Sequence, residues 1–439
     1  MKNILKKELL ILLGCIVLFL IIRSIHYPQH VNFSGDQGMF ANKALELFRN
    51  KEITLIGPET SMRYESRVFY QGPATYYMLM FFLAIANWDP LIASYLFTIF
   101  ASLMIIPLYF GVKKLINTKA AWVMVVIYML APYYVTYSRF LWNPTFQFSL
   151  VPLLIYCMGL YKENKKWWIF MLISILLGVL LHFHYQFVVI IAAIFIYYFL
   201  IQKEILKKIP LFLLGIALGA SPMILFELRN DFYNMKTMLF LFEHKDKLDR
   251  GGGSYPHYYI TLSFMTLLAS LGIINKIIKY VRSKKISKKE FLYKVKGMLN
   301  DKTYRYVLGA LFLFLLIRSL IFFTPMPRNS FWAGTDNWNY LDDYKIYEIV
   351  KKENLQNYNI ANLPYDTLSS VSKFLLRKDG IEINDDYYRN KYLFVIYKND
   401  NFMEATSYEV ATFKPHKILK KWKINDHYQM FLLERLPSS

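Results

Sequence analysis

Asp36 stands in the run Phe33-Ser34-Gly35-Asp36-Gln37-Gly38-Met39-Phe40, just past the first hydrophobic stretch of the chain. An acid among small and polar neighbours at the edge of a bilayer points to chemistry at a membrane surface. Beyond it, Met39, Phe40, Ala44, Leu47 and Phe48 recur at helical spacing and predict a surface helix from Gln37 to Asn50. Asp36 therefore also reads as the N-cap of that helix, and the two roles are compatible.

Other polar residues collect near the ends of hydrophobic segments. In Tyr137-Ser138-Arg139-Phe140-Leu141-Trp142-Asn143-Pro144, the guanidinium of Arg139 can grip a phosphate through two parallel hydrogen bonds. It can equally snorkel to the interface. Arg63 and Arg67 lie between the turns Gly57-Pro58 and Gly72-Pro73 and serve either headgroup contact or substrate binding; Tyr70 and Gln71 follow them. His182 and His184, two residues apart, face opposite ways on a strand and ~200° apart on a helix, which makes a poor metal pair. With Gln186 and Asn143 they read as pocket-lining groups. Glu227 and Arg229 open a long loop that ends in Gly251-Gly252-Gly253, a candidate hinge. Arg23 and Arg318, near the ends of their segments, read as snorkelling cations. Cys15 and Cys157 both fall in hydrophobic stretches and imply neither a disulfide nor a metal site.

The elements that must position these groups follow from composition. The chain is 55% hydrophobic and 18% aromatic, with a mean hydropathy of +0.26, above the usual range of soluble globular chains. The expected fold is all-α and polytopic, with about nine transmembrane helices at 9–25, 91–112, 120–138, 145–161, 167–182, 184–201, 209–226, 258–275 and 306–323, each near the ~20 residues a bilayer core requires. The first reads as a retained anchor, because no small-residue cleavage site follows it. Residues 73–87 are apolar but short: at ~1.5 Å per residue they reach only ~22 Å against a core of ~30 Å.

Charge decides whether that short segment crosses, because cytoplasmic loops concentrate Lys and Arg. If it lies flat as an interfacial helix, five basic stretches fall on one side: Lys2/Lys6/Lys7, Lys113/Lys114/Lys119, Lys162/Lys165/Lys166, Lys203/Lys207/Lys208 and the run from Lys276 to Arg305. They hold 23 basic residues against five acids and account for +18 of the formal net charge of +21. The expectation is therefore a cytoplasmic N-terminus, an outer loop over 26–72 and an extracytoplasmic C-terminal end, in the plasma membrane. The basic run lacks the aromatic interleaving or Cys/His spacing of a nucleic-acid module and suits anionic headgroups. Nucleic acid is not an expected partner; membrane lipids are.

From 324 to 439 the pattern switches to short alternating units. Helix-like Tyr344 to Asn354 and Leu368 to Arg377 alternate with strand-like Tyr358 to Leu363 and Lys391 to Lys398, and Trp422 to Ile424 and Tyr428 to Leu433 close the series. This predicts a small extracytoplasmic α/β domain after a transmembrane domain of residues 1–323. Its expected role is acceptor binding or a lid.

Four passages now resemble one family: Gly35-Asp36-Gln37 with its helix, Gln71-Gly72-Pro73-Ala74-Thr75-Tyr76-Tyr77, Ser138-Arg139 through Asn143-Pro144, and Phe226-Glu227-Leu228-Arg229-Asn230. In order and placement they are similar to the GT-C superfamily of integral membrane glycosyltransferases, in the family 39 branch related to protein O-mannosyltransferases and lipid A aminoarabinose transferases. The resemblance covers roughly residues 1–240. It implies a GT-C fold with interfacial helices and transfer of a hexosyl or pentosyl group from a polyprenyl-phosphate donor to a lipid, glycan or protein acceptor at the outer face. It maps the loop aspartate, as general base or acceptor orienter, onto Asp36, with Arg139, Arg67 and Arg63 toward the donor phosphate. Many relatives carry Glu after this Asp; here Gln37 replaces it, which makes acidic metal coordination less expected and implies no cofactor. The rival expectation is a transporter or flippase of a lipid-linked glycan. A transporter places ionisable groups near the midplane and shows repeated halves, and neither pattern is evident here.

Overall fold

The computed structural model describes residues 2–65, 67–201, 203–244, 249–250, 259–283, 301–323, 337–364, 366–398 and 407–437. A long helix α1 (Lys2–Ser24) leads through the one-turn α2 (Tyr27–His30) and an extended segment into α3 (Gly35–Asn50). A hairpin of β1 (Glu59–Tyr64) and β2 (Arg67–Tyr70) then precedes α4 (Ala74–Ile85). The helical body continues with α5 (Pro90–Leu103), α6 (Ile105–Leu115), α7 (Thr118–Leu130), α8 (Pro132–Tyr137) and α9 (Asn143–Asn164). It goes on through α10 (Trp167–Leu181), α11 (Phe187–Ile201), α12 (Ile209–Gly219), α13 (Ser221–Arg229) and α14 (Tyr233–Glu243). The short β3 (Asp249–Arg250) pairs antiparallel with β1, and α15 (Ile260–Ser283) and α16 (Asp301–Phe323) complete the body.

The protein is a helical, polytopic membrane protein, as its composition predicts, but its spans are less uniform than nine equal helices. Four helical stretches are long and apolar enough to cross alone: Pro90–Leu115, which joins α5 to α6, then Asn143–Asn164, Ile260–Lys279 and Thr303–Phe322. The pair α12 and α13 crosses only as a broken span or re-entrant loop, bent by 75°. The other four expected spans fall on α1, which carries Lys7, Glu8 and Arg23, on α7 with α8, on α10 and on α11. The core of the body is α9, 78% buried along its apolar window, whereas α16 is 6% buried and presents its apolar side chains outward. That contrast is what a helix surrounded by protein and a helix surrounded by lipid each require. The expected interfacial segment at 73–87 is α4, a helix of 12 residues, whose ~18 Å length falls far short of a bilayer core.

The C-terminal unit builds from α17 (Tyr340–Glu353), β4 (Tyr358–Asn362), α18 (Ser370–Lys378), β5 (Tyr392–Tyr397), the one-turn α19 (Tyr408–Ala411), β6 (His416–Lys423) and β7 (Gln429–Arg435). Its sheet runs β4-β5-β7-β6, with β4 and β5 parallel and the other pairs antiparallel. The parallel pair needs a crossover, and α18 supplies it. On α18, Val371, Phe374 and Leu375 are fully buried and recur at three- to four-residue spacing, which gives the helix one apolar stripe.

Helix α3 is the seam between the two parts. Ser34 is its N-cap, and Gln37 closes the cap by accepting from the Ser34 backbone N–H at 3.0 Å and from its hydroxyl at 2.5 Å. The expectation that Asp36 itself caps the helix is thus corrected: it sits in the first turn, where a negative charge still favours the helix dipole. On the next turn, Asn42 Nδ2 donates to the carbonyls of Gly38 (2.8 Å) and Ser370 (2.9 Å), while Arg377 Nη1 donates to Asn42 Oδ1 at 3.0 Å. Phe33 packs on Tyr340 and Phe374, and Trp88 also meets Phe374, so one apolar core runs from the helical body into the C-terminal unit.

Gly38 permits this seam. A Cβ there would lie 2.6 Å from the Val371 nitrogen and 2.8 Å from the Ser370 carbonyl carbon. Both are backbone atoms and have no rotamer to yield. Gly38→Ala is therefore expected to destabilise the protein by ~1–3 kcal/mol through overpacking, read as a lower melting temperature in detergent. Gly14→Ala, where a Cβ meets nothing within 4 Å, should leave the melting temperature in place.

Candidate active site

Asp36 projects from the first turn of α3 and is exposed, while its neighbour Gln37 is 1% exposed and committed to the cap. The carboxylate of Asp366, from the turn before α18, packs on Gly35: its Cγ lies 3.3 Å from the position a Cβ on Gly35 would take. Desolvation by the surrounding protein, and then repulsion from Asp366, raise the pKa of Asp36 above the ordinary carboxylate value. Because the side chain keeps contact with solvent, Asp36 can still ionise and exchange protons.

The segment before α3 ties this acid to the segment that carries Arg139. Asn32 and Phe140 form a parallel β-bridge, so Asp36 lies four residues beyond one bridge partner and Arg139 one residue before the other. Arg139 was expected at an outward edge, either gripping phosphate or snorkelling. It is 0% exposed, and its Nη1 donates to the Arg23 carbonyl at 3.5 Å. Arg23 also departs from the snorkelling expectation: it is 0% exposed and turned inward. Its Nε donates to Ser138 Oγ at 2.5 Å, and its Nη1 to the carbonyls of Met129 (2.9 Å) and Phe19 (3.3 Å). The guanidinium lies 3.2 Å from the centroid of the Phe19 ring, and Nη2 has no hydrogen-bond partner. Among the described residues no carboxylate pairs with Arg23. Two guanidinium groups are thus held inside the same end of the helical body, where each costs several kcal/mol of desolvation.

The remaining candidates form a separate knot. Asn143, at the start of α9, donates through Nδ2 to Gln71 Oε1 at 2.7 Å and to the Phe183 carbonyl at 3.0 Å. The Gly72 N–H donates to the His182 carbonyl at 3.0 Å, and a side chain on Gly72 would run into the His182 ring. His182 Nε2 meets the Gly219 carbonyl at 3.0 Å, at the break between α12 and α13. Tyr185 donates its hydroxyl to the Tyr70 carbonyl at 2.5 Å, and the Tyr70 N–H donates to Asn234 Oδ1 at 3.0 Å.

His182, Tyr70 and Asn143, expected to line a pocket, therefore spend polar groups fastening loops to helix ends. Among the described side-chain atoms of this knot, the buried Asn143 Oδ1, His182 Nδ1 and Gln186 Oε1 lack partners. His184 Nδ1 accepts from the Gln186 N–H at 3.3 Å. Glu227 Oε2 accepts from the Met235 N–H at 3.2 Å and supports the start of α14, while Arg229 is exposed beside it. Arg67 stacks its guanidinium 4.3 Å from the Phe240 centroid, which ties the hairpin to α14. The side chain of Arg63 and the glycine hinge at 251–253 lie outside the described residues. Among the described residues, no three His, Cys, Asp or Glu side chains converge as a metal site.

Two residues of this arrangement escaped the sequence reading. Arg23 looked like any basic residue at a span end, and nothing local announces that it turns inward. Asp366 precedes Thr367-Leu368-Ser369-Ser370, a legible helix-start pattern, but its place beside Gly35 is a long-range fact.

Residues 70–226 match the model of the dolichyl-phosphate-mannose-protein mannosyltransferase family. Arg139 lies inside that stretch, and Asp36 lies before it. No curated protein matches the chain. The crystal structure of ArnT from Cupriavidus metallidurans bound to undecaprenyl phosphate matches with a TM-score of 0.59 at 10% identity, covering 98% of each chain. The apo state of the same protein matches at 0.58, with the same identity and coverage. At that identity the likeness is one of fold. The resemblance read from the four passages is borne out, and the architecture is of the GT-C type.

The knot around Asn143 has a measurable cost of removal. Asn143→Ala strands Gln71 Oε1 and the Phe183 carbonyl in a buried setting, each without its donor. The expected loss is ~1–3 kcal/mol for each group left unsatisfied, seen as a lower melting temperature and faster proteolysis.

Proposed function

We propose that the protein is a glycosyltransferase that moves a sugar from a polyprenyl-phosphate carrier to an acceptor at the outer face of the membrane. The observation that carries this reading is the Asn32–Phe140 bridge, which joins the segment bearing Asp36 to the segment bearing Arg139 at one end of the helical body. The likeness of fold to ArnT, crystallised with undecaprenyl phosphate, supports a polyprenyl-phosphate donor. The mannosyltransferase family match supports sugar transfer.

The chemistry divides between the two residues. An acceptor hydroxyl attacks the anomeric carbon, its proton passes to the Asp36 carboxylate, and the new C–O bond forms as the bond to the carrier phosphate breaks. The polyprenyl phosphate leaves with both electrons of that bond. Its growing negative charge is stabilised by the positive field of Arg139 and Arg23, which act at longer range because the protein around them screens poorly. Arg23 fixes Ser138 and with it the turn that carries Arg139.

The contact between α3 and α18 supports the flat reading of α4. The loop before α4 and the C-terminal unit touch, so they share one face of the membrane. The eight expected spans between them return the chain to the same side; a ninth crossing by α4 would not. Charge then sets that shared face as the outer one. The broken span at α12 and α13 is the feature that favours the transporter rival, since such breaks line ion sites with freed carbonyls. Here the Gly219 carbonyl at the break already meets the His182 ring, which favours a structural bend.

Purified protein given a radiolabelled polyprenyl-phosphate sugar and candidate acceptors should transfer label, and Asp36→Asn should lower the rate by ~10²-fold or more. Transfer by the mutant at the wild-type rate would sink the base assignment. Single cysteines at Asn87 and Lys114 should label from outside and from inside, respectively; outside labelling at Lys114 contradicts the topology.

A further inference from the structure

We propose that Asp366 of the C-terminal unit is a positioning residue for Asp36, the second carboxylate at a place where Gln37 leaves the Gly35-Asp36-Gln37 motif with only one. The inference rests on the reading of Asp36 as the base and adds a partner from the far end of the chain. Asp366 is held firmly. Its Oδ2 accepts from the Ser370 N–H and its carbonyl from the Ser369 N–H, both at 2.7 Å. It also forms an isolated β-bridge with Asn362. Anchored in this way, its Cγ and Oδ2 stand 3.3 and 3.4 Å from the Cβ position of Gly35, the residue before Asp36. The Gly38–Ser370 contact one turn further on prevents the two segments from sliding apart.

Two carboxylates and one ammonium face Asp366. From α3 it faces Asp36, and from α17 it faces Asp343, which is 2% exposed and accepts from Trp338 Nε1 at 2.9 Å and Ser372 Oγ at 3.2 Å. From α18 it faces Lys373, whose ammonium donates to Asp385 at 2.9 Å, and the Tyr387 hydroxyl also senses it. Burial first, and Asp366 among the charges, push the Asp343 carboxyl up to about 8. A fixed carboxylate beside Asp36 favours its protonated form, so Asp36 binds the acceptor proton more strongly than a lone surface aspartate. Nearby, Asn362 and Ser369 are buried with polar side-chain atoms that have no partner. A water or an acceptor hydroxyl reaching the crevice would meet them there.

Asp366→Asn tests this, because Asn keeps an oxygen for the Ser370 N–H and removes only the charge. Asp366→Ser does the same with a different cap. The readout independent of turnover is the infrared carboxyl band that disappears in Asp36→Asn, followed through pH in the full-length protein. The sign is fixed: a like charge raises the proton affinity of Asp36, so removing it moves the titration of that band to lower pH. The acid limb of kcat should move down with it, kcat above the limb should fall several-fold, and KM for the donor should hold. A band that titrates at the wild-type pH in both folded variants overturns the proposal. A band that moves while Asp36→Asn transfers sugar at the wild-type rate overturns the base assignment, and the catalytic role of Asp366 falls with it.

Discussion

Two helix starts meet backbone to backbone where residue 38 carries no side chain, and the junction between the helical body and the C-terminal unit depends on that approach. Helix α3 begins at Gly35 and α18 at Ser370, and both present the positive ends of their dipoles near Gly35 and Gly38. Two such ends in contact repel unless negative charge lies between or beside them. Asp36 and Asp366 supply it, each in or before the first turn of its own helix. The carboxylates therefore favour the junction, while Asp366 disfavours the charged form of Asp36. Desolvation first, and repulsion from Asp366 second, lift the proton affinity of Asp36.

The opposite electrostatic choice is made a few residues away. Arg23 and Arg139 are sealed in the helical body with carbonyls and a hydroxyl as partners for Arg23. Carbonyl oxygens satisfy N–H groups but do not cancel charge, so a positive field remains. An acid pair at the surface and a cation pair beneath it, joined through the Asn32–Phe140 bridge, create a gradient across one short stretch of structure. In the proposed transfer, a proton released by an acceptor and an anion released by a donor would be drawn in different directions along it.

Much of this was legible in the sequence, for physical reasons. Hydrophobic length and lysine placement located the helical segments, because the bilayer imposes both. In the C-terminal unit, the strands at 358–362 and 392–397 and the helix at 370–378 fell within a residue or two of expectation, the strands as short runs buried along almost their whole length and the helix through its 3.6-residue stripe. What stayed hidden depended on remote partners. The third strand of the β1–β2 hairpin sheet is Asp249–Arg250, far along the chain and only two residues long. The apolar run and basic end of α1 read as a plain anchor, because the carbonyl of Met129 that captures Arg23 belongs to another helix. His182 read as a pocket-lining group because its type suggests chemistry, and its partner, the Gly219 carbonyl, lies where a span breaks. The N-cap went to Ser34 instead of Asp36 through Gln37, a capping-box spacing that the sequence does contain.

The contact of Asp366 with Gly35 also has a schedule. Residue 36 is made early and residue 366 late, and synthesis at ~5–20 residues per second separates them by roughly 15–70 s. During that interval the first loop is already at the membrane surface with a single, ordinary aspartate and no helix to hold its first turn. The site reaches its final form only when the C-terminal unit has emerged, crossed and folded against α3. A chain stalled before that point would lack the carboxylate that faces Asp36.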